Sequence, residues 1–115
     1  MTSVISWNVN GIRAAEKKGF LTWLAEESPD ILCLQETKAR KEQLPAQLVT
    51  PAWKEGTYKT YWQSAKKPGY SGTALFCKTE PLNIRTMNIA EFDDEGRVLA
   101  ADLKNVTVIS AYFPN

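Results

Sequence analysis

Apolar residues in this chain gather in short runs, and the spacing within each run separates strand from helix. Ser3 to Trp7 (SVISW) reads as a strand that runs into Asn8-Val9-Asn10-Gly11, where Asn-Gly signals a turn. From Arg13 to about Glu27 the pattern is helical: Phe20, Trp23 and Leu24 fall at i, i+3 and i+4, with Leu21 beside them. That stripe is core. Ser28-Pro29-Asp30 stops the helix, and Ile31-Leu32-Cys33-Leu34 follows as an unbroken apolar run. A one-sided strand would alternate with polar residues, so this run predicts a strand buried on both faces. Strand, helix and strand make a βαβ unit, for which a right-handed crossover is expected. The two strand exits, at Asn8 and Glu36, would then open on the same edge of the sheet.

Lys41 to Leu48 predicts a short helix weakened by Pro45, and after Pro51 the pattern changes to short strands divided by turns. These strands are Lys59 to Gln63, Thr73 to Cys77, a looser Leu82 to Met87, Arg97 to Leu103, and Val106 to Phe113 after a Lys104-Asn105 hairpin. On the last strand Val106, Val108, Ser110 and Tyr112 share one face, and Ile109, Ala111 and Phe113 the other. Both faces are apolar in the middle, as at Ile31 to Leu34. A sheet of that kind needs a layer on each side. The helices predicted here cover one face only. The other face is therefore expected to mediate self-association, or to meet further layers of a longer protein, since a large exposed apolar patch associates.

At 115 residues the chain allows one domain, and 43% hydrophobic with 23% charged residues is an ordinary soluble globular composition. No apolar run approaches the ~20 residues that span a membrane. The N-terminus shows neither a basic region nor a cleavage site, so no export signal is visible. Cys33 and Cys77 lie in separate apolar runs and read as buried free thiols in a reducing compartment, with the cytoplasm as the default location. Net charge is only +1, but residues 1–67 hold ten Lys/Arg against seven Asp/Glu, and residues 68–115 hold four against six. The cations cluster as Arg13/Lys17/Lys18, Lys38/Arg40/Lys41 and Lys66/Lys67. Scattered surface charge and basic loops around a phosphate site both account for that distribution.

Histidine is absent, which excludes Ser-His-Asp and Cys-His catalysis within this chain and most zinc sites. Carboxylate, amide, phenol and cation chemistry remains, and it suits a hard, oxygen-liganded ion such as Mg²⁺ completed by substrate phosphate. Glu36 is the first candidate ligand. A carboxylate where a buried strand emerges is costly to desolvate unless a cation meets it, and ligands of α/β proteins bind at the carboxyl ends of strands. A structural ion pair with Lys38, Arg40 or Lys41 accounts for the same carboxylate. Asn8 and Asn10 serve equally as turn formers or as neutral amides around an ion or phosphate.

Five segments, in order and spanning nearly the whole chain, carry a family resemblance: Ser6-Trp7-Asn8-Val9-Asn10-Gly11-Ile12-Arg13, Leu34-Gln35-Glu36-Thr37-Lys38, Gly69-Tyr70-Ser71-Gly72-Thr73-Ala74, Glu95-Gly96-Arg97-Val98 and Ala111-Tyr112-Phe113-Pro114-Asn115. Together they resemble the exodeoxyribonuclease III, or abasic-site endonuclease, branch of the endonuclease/exonuclease/phosphatase family. The resemblance implies Mg²⁺-dependent hydrolysis of DNA phosphodiesters in base-excision repair, with Mn²⁺ as an alternative ion. Its substrate is double-stranded DNA with abasic sites or 3′ ends. Glu36 resembles the metal-binding glutamate, Asn8 the asparagine that orients metal-binding and catalytic groups, and Tyr112 the tyrosine near the scissile phosphate. Asn10 stands where some relatives have an aspartate. Arg13, Lys17, Tyr70 and Asn115 resemble positions that contact the DNA backbone or its phosphate.

The family also has a second half, with Asp-Phe-Asn and Ser-Asp-His motifs, and this sequence contains neither. Residues 1–115 therefore read as the N-terminal half of such a domain. The implied fold class is α/β: half of a four-layer sandwich, with one mixed, mostly antiparallel sheet and helices on one face. The isolated half is expected to turn over little substrate and to need a complementing C-terminal half. Two other readings stay open, a non-catalytic nucleic-acid-binding half and a phosphoesterase of the wider family acting on non-DNA substrates.

Overall fold

The computed structural model describes residues 2–114. Its elements are β1 (Val4–Asn8), α1 (Ile12–Lys17), α2 (Phe20–Glu27), β2 (Ile31–Gln35), a 3-10 turn (Lys41–Gln43), α3 (Ala46–Val49), β3 (Ala52–Trp53), β4 (Gly56–Thr57), β5 (Lys59–Gln63), β6 (Thr73–Cys77), β7 (Asn83–Arg85), α4 (Ala90–Asp93), β8 (Val98–Asp102) and β9 (Thr107–Ala111). The helix expected over 13–27 is two helices. Gly19 takes a left-handed φ of 101°, which ends α1 and caps α2. The stripe survives the break: Phe20 and Leu24 are buried and Trp23 is half-buried. The helix expected over 41–48 is likewise split at Pro45 into the 3-10 turn and α3.

β1 and β2 pair in parallel, as the βαβ reading requires, while β6 pairs antiparallel with both β2 and β5. The strand order is β1-β2-β6-β5, a mixed and mostly antiparallel sheet. All five residues of β2 and all five of β6 are buried. On one face Leu32, Leu34, Ala74 and Phe76 pack under Ile12, Phe20, Leu24 and Leu48 of the helical layer. On the other face Ile31, Cys33, Leu75 and Cys77 meet Leu99 and Ala101, with Ile84 and Val108 at the margin.

That second contact corrects the expectation of a single sheet with one bare face. β7, β8 and β9 form their own three-stranded antiparallel sheet, which packs on the face opposite the helices. The alternation within β8 is what permits it, because Leu99 and Ala101 point inward from a strand whose ends, Val98 and Asp102, are half-exposed. The α/β class and the one-sided helical layer stand. The bare apolar face has moved outward, to the outer side of β9, where Ile109 is 60% and Phe113 is 85% exposed. β1 and β9 are edge strands of their sheets. No helix among the described residues is long and apolar enough to cross a membrane.

Cys33 and Cys77 are free and buried. Burial pushes both thiols up to about 11. They sit on diagonal positions of the β2–β6 ladder, since Ile31 faces Cys77 and Cys33 faces Leu75. At pH 8 the reactive thiolate is therefore nearly absent. Ellman's reagent is expected to titrate neither thiol in the native chain and both in guanidinium. Prompt native labelling would show that the two sheets open readily.

Candidate active site

The site begins where β1 and β2 end side by side. Asn8 faces Gln35 in the last rung of the ladder, and the Val9 amide donates to the Gln35 carbonyl at 3.1 Å. Both chains then turn sharply. Asn10, Glu36 and Lys38 adopt left-handed φ of 48°, 54° and 56°, a region that non-glycine residues occupy at a cost. Loop-to-loop backbone bonds hold them there: Gly11 N–H to the Glu36 carbonyl at 2.7 Å, Ile12 N–H to Thr37 at 3.0 Å and Lys38 N–H to Ser71 at 2.8 Å. The loop at 69–72 is thereby stitched to the Glu36 loop. Gly72 belongs there because a Cβ would run into the Thr37 hydroxyl.

This turn geometry closes a ring of four polar side chains. Asn8 Nδ2 donates to Glu36 Oε1 at 3.1 Å, and Glu36 Oε2 lies 3.5 Å from Lys38 Nζ. Lys38 Nζ donates to Asn10 Oδ1 at 2.6 Å, and the Asn10 backbone N–H closes the ring by donating to Asn8 Oδ1 at 3.0 Å. The Asn8 donor, helped by Tyr112 and Lys38, holds the Glu36 carboxyl below the usual carboxylate range against a modest desolvation penalty. Tyr112 approaches from β9. Desolvation, then the Glu36 carboxylate, push its phenol up, so it stays a protonated donor. Its own amide donates to the Arg97 carbonyl at 2.8 Å, and Arg97 Nη2 binds Glu95 Oε1 at 2.6 Å. Tyr70 OH reaches the same Glu95 oxygen at 3.3 Å.

Asn8, Glu36 and Tyr112 are thus brought to one place. Arg13 stands at the margin, with Nη2 3.4 Å from the Lys38 carbonyl, and Lys17 is exposed one turn further along α1. Tyr70 joins through Glu95 and Arg97 rather than by touching Glu36. Asn115 lies outside the described residues. In the sequence Lys38 stands out only as a nearby cation, and no local pattern gives Glu95, Arg97, Gln35 or Ser110 a role. The Glu-Gly-Arg-Val segment was the available signal for the first two. Its glycine is structural: at φ 62° a Cβ on Gly96 would meet Ala65 N and Gln63 O at 2.7 Å each. Gly96→Ala is expected to cost about 1–3 kcal/mol from backbone conformation alone. The melting temperature should fall by at least about 5 °C, and an unchanged value would mean that the loop yields without strain.

The donor set fits a hard divalent ion in part. Glu36 supplies an ionised oxygen ligand at an open strand end, and the Lys38 ammonium already marks the position as one that favours a cation. Among the described residues no three Asp, Glu, His or Cys side chains converge, and Glu36 is the carboxylate of this ring.

A carboxylate, two amides and an ammonium thus gather where the parallel strands β1 and β2 end, with the Tyr112 phenol arriving from the end of β9, at one edge of an α/β sandwich. The chain belongs to the Endonuclease/Exonuclease/phosphatase family, whose sequence pattern matches residues 5–114. It is 47% identical over 114 residues to the DNA repair nuclease APEX1 of Danio rerio and equally similar, at 47% over 114 residues, to an exodeoxyribonuclease of Bacillus subtilis. Each match covers 97% of this chain, but 36% and 42% of those proteins. A solved structure of the 3′ phosphatase NExo from Neisseria, bound to a product DNA hairpin, superposes with a TM-score of 0.76 at 27% identity, covering 97% of this chain and 41% of that one. The branch read from the five sequence segments is thereby borne out. The chain spans less than half the length of each of these relatives.

Proposed function

We propose that the chain is one half of a DNA-repair phosphodiesterase domain, cutting 5′ to abasic sites and trimming 3′ ends once its complement is in place. The reading rests on a single observation: an ionised Glu36 held by Asn8 and faced by Tyr112 at an exposed end of the sheet. Glu36 would hold Mg²⁺, or Mn²⁺ in its stead. When bound, such an ion polarises a phosphoryl oxygen and offsets charge on the leaving alkoxide. Asn8 fixes the carboxylate's orientation through its amide donor. Tyr112, kept protonated, donates to a non-bridging phosphate oxygen as charge develops there. Arg13, Lys17 and Tyr70 would supply cations and a phenol to backbone phosphates on either side.

The complement docks on β9 and β1. Both are open edge strands, and Ile109 and Phe113 present an apolar outer face beside β9. A complementing polypeptide of the length these relatives have beyond the matched region suits that surface, and self-association is the competing use of it.

The test mixes the purified chain with the unmatched part of the Bacillus subtilis relative and an abasic-site duplex in Mg²⁺. The isolated chain should bind the duplex with an affinity that falls steeply with salt and nick it little, while the mixture should nick it. Robust nicking by the chain alone would overturn the half-domain reading. Preference for small or lipid phosphate esters, with no salt-dependent DNA affinity, would move the protein to another branch of its family.

A further inference from the structure

We infer that Gln35 and Ser110 form a positioning clamp that holds the Tyr112 phenol against Glu36 across the gap between the two sheets. The inference rests on the reading of Asn8, Glu36 and Tyr112 as the functional site. Gln35 is the one polar residue of β2 and is only 8% exposed, at the end of a run that is otherwise apolar. A buried amide is unfavourable unless its N–H groups find partners. Here Nε2 donates to two hydroxyls, Ser6 Oγ and Ser110 Oγ, each at 3.1 Å. Ser6 belongs to β1 in the first sheet and Ser110 to β9 in the second, so one amide ties the two sheets together.

The direction of the bonds is fixed. Ser110, 1% exposed, spends its single proton on the Leu34 carbonyl at 3.0 Å, and so offers Gln35 a lone pair. Ser110 is thus anchored twice to the last two residues of β2, directly before Glu36. Tyr112 follows Ser110 by two residues, just past the end of β9, and would share its face if the strand's alternation carries on. The ladder to β8, continued by the Tyr112 amide on the Arg97 carbonyl, fixes the register of β9 along its neighbour. It does not fix the spacing between sheets. The inter-sheet contacts of Cys33 and Leu75 with Leu99 and Ala101 are apolar and non-directional, and the bonds from Thr73 Oγ1 to the Gly96 carbonyl and from Gln63 Nε2 to the Asp93 carbonyl reach the segment before β8, not β9. The Gln35–Ser110 bonds are directional, and they lie one and two residues from the groups they align.

The experiment is a proton NOE measurement on the whole chain, free of metal and DNA, reading the cross-peak between the Tyr112 ring and the Glu36 γ-methylene. Ser110→Ala is expected to lose the cross-peak, and Ser110→Thr, which restores a hydroxyl, to keep it. Ser6→Ala removes the other acceptor of the same amide without touching β9, and should also keep it. Loss of the cross-peak in Ser6→Ala as well would trace it to the packing of the Gln35 amide and not to the tie with β9. That result overturns the clamp, as does a cross-peak that survives Ser110→Ala or is missing from the unsubstituted chain. Should Ser110→Ala fail to fold, Gln35→Met is compared with Ser6→Ala on the same terms. Failure to bind Mg²⁺ or to nick DNA would count against the site reading and leave the clamp standing.

Discussion

Phe76→Ala is expected to cost about 3–5 kcal/mol, the range for emptying a buried aromatic position. A domain of this size has a total stability of about 5–15 kcal/mol, so this one substitution should remove a large share of it. Phe76 is fully buried on β6 and is the ring on which the helical layer closes. It meets Phe20 edge-on at 5.9 Å, Trp62 at 5.5 Å and Tyr58 at 6.3 Å between ring centroids. No single neighbour can collapse into the space without abandoning another contact, so the cavity term adds to the transfer term. Trp7→Ala makes the comparison: Trp7 also touches Phe20 but is 37% exposed, and its loss should cost clearly less. Urea unfolding followed by tryptophan fluorescence reads both, as a lower midpoint at unchanged slope. A Phe76 variant within about 1 kcal/mol of the parent would mean that helices and sheet are held by something other than this packing.

The strands on which Phe76 and Glu36 depend were readable because they are buried on both faces, and a run of four or five apolar residues has few other homes. The parallel βαβ unit followed from the same runs and from the stop at Ser28-Pro29-Asp30. The assignment of β7, β8 and β9 to a sheet of their own did not follow. A period of two says which side chains share a face, but not which sheet the strand joins, and contacts such as Leu99 on Leu75 are decided at long range. The break at Gly19 was hidden beneath a continuous apolar stripe, since glycine inside a helix is tolerated often enough to be passed over. In the site, Asn8 and Glu36 were legible as two exits on one sheet edge. The ring that Lys38 and Asn10 close was not, because it needs left-handed backbone at Glu36 and Lys38, which neither residue type favours. Ser110 and Gln35 are 75 positions apart, and nothing in either local pattern points to the other.

Glu36→Gln is expected to reduce divalent-ion affinity of the chain by at least about tenfold, and nicking by the complemented protein by about 10²–10³. The amide keeps the size and hydrogen-bonding reach of the carboxylate, so what is lost is charge. Mn²⁺ titration followed by electron paramagnetic resonance measures the first effect, and abasic-duplex cleavage the second. Asn8→Ala separates charge from orientation, because it leaves the carboxylate in place but removes the largest cause of its depressed pKa. A carboxyl whose folded value lies below its unfolded one, about 4.3, adds stability above that pH and loses it as the pH falls through the folded value. The acid unfolding limb should therefore move to higher pH in Asn8→Ala, and Glu36→Gln should lack this group's contribution altogether. NMR titration of the Glu36 carboxyl carbon reads the same displacement directly. If that titration is unmoved by Asn8→Ala, the amide does not govern the carboxylate, and the ring of Asn8, Glu36, Lys38 and Asn10 is an ion pair with Lys38 and two bystanders. If it moves while Mn²⁺ affinity holds, Asn8 sets the charge of Glu36 at low pH without taking part in grasping the ion.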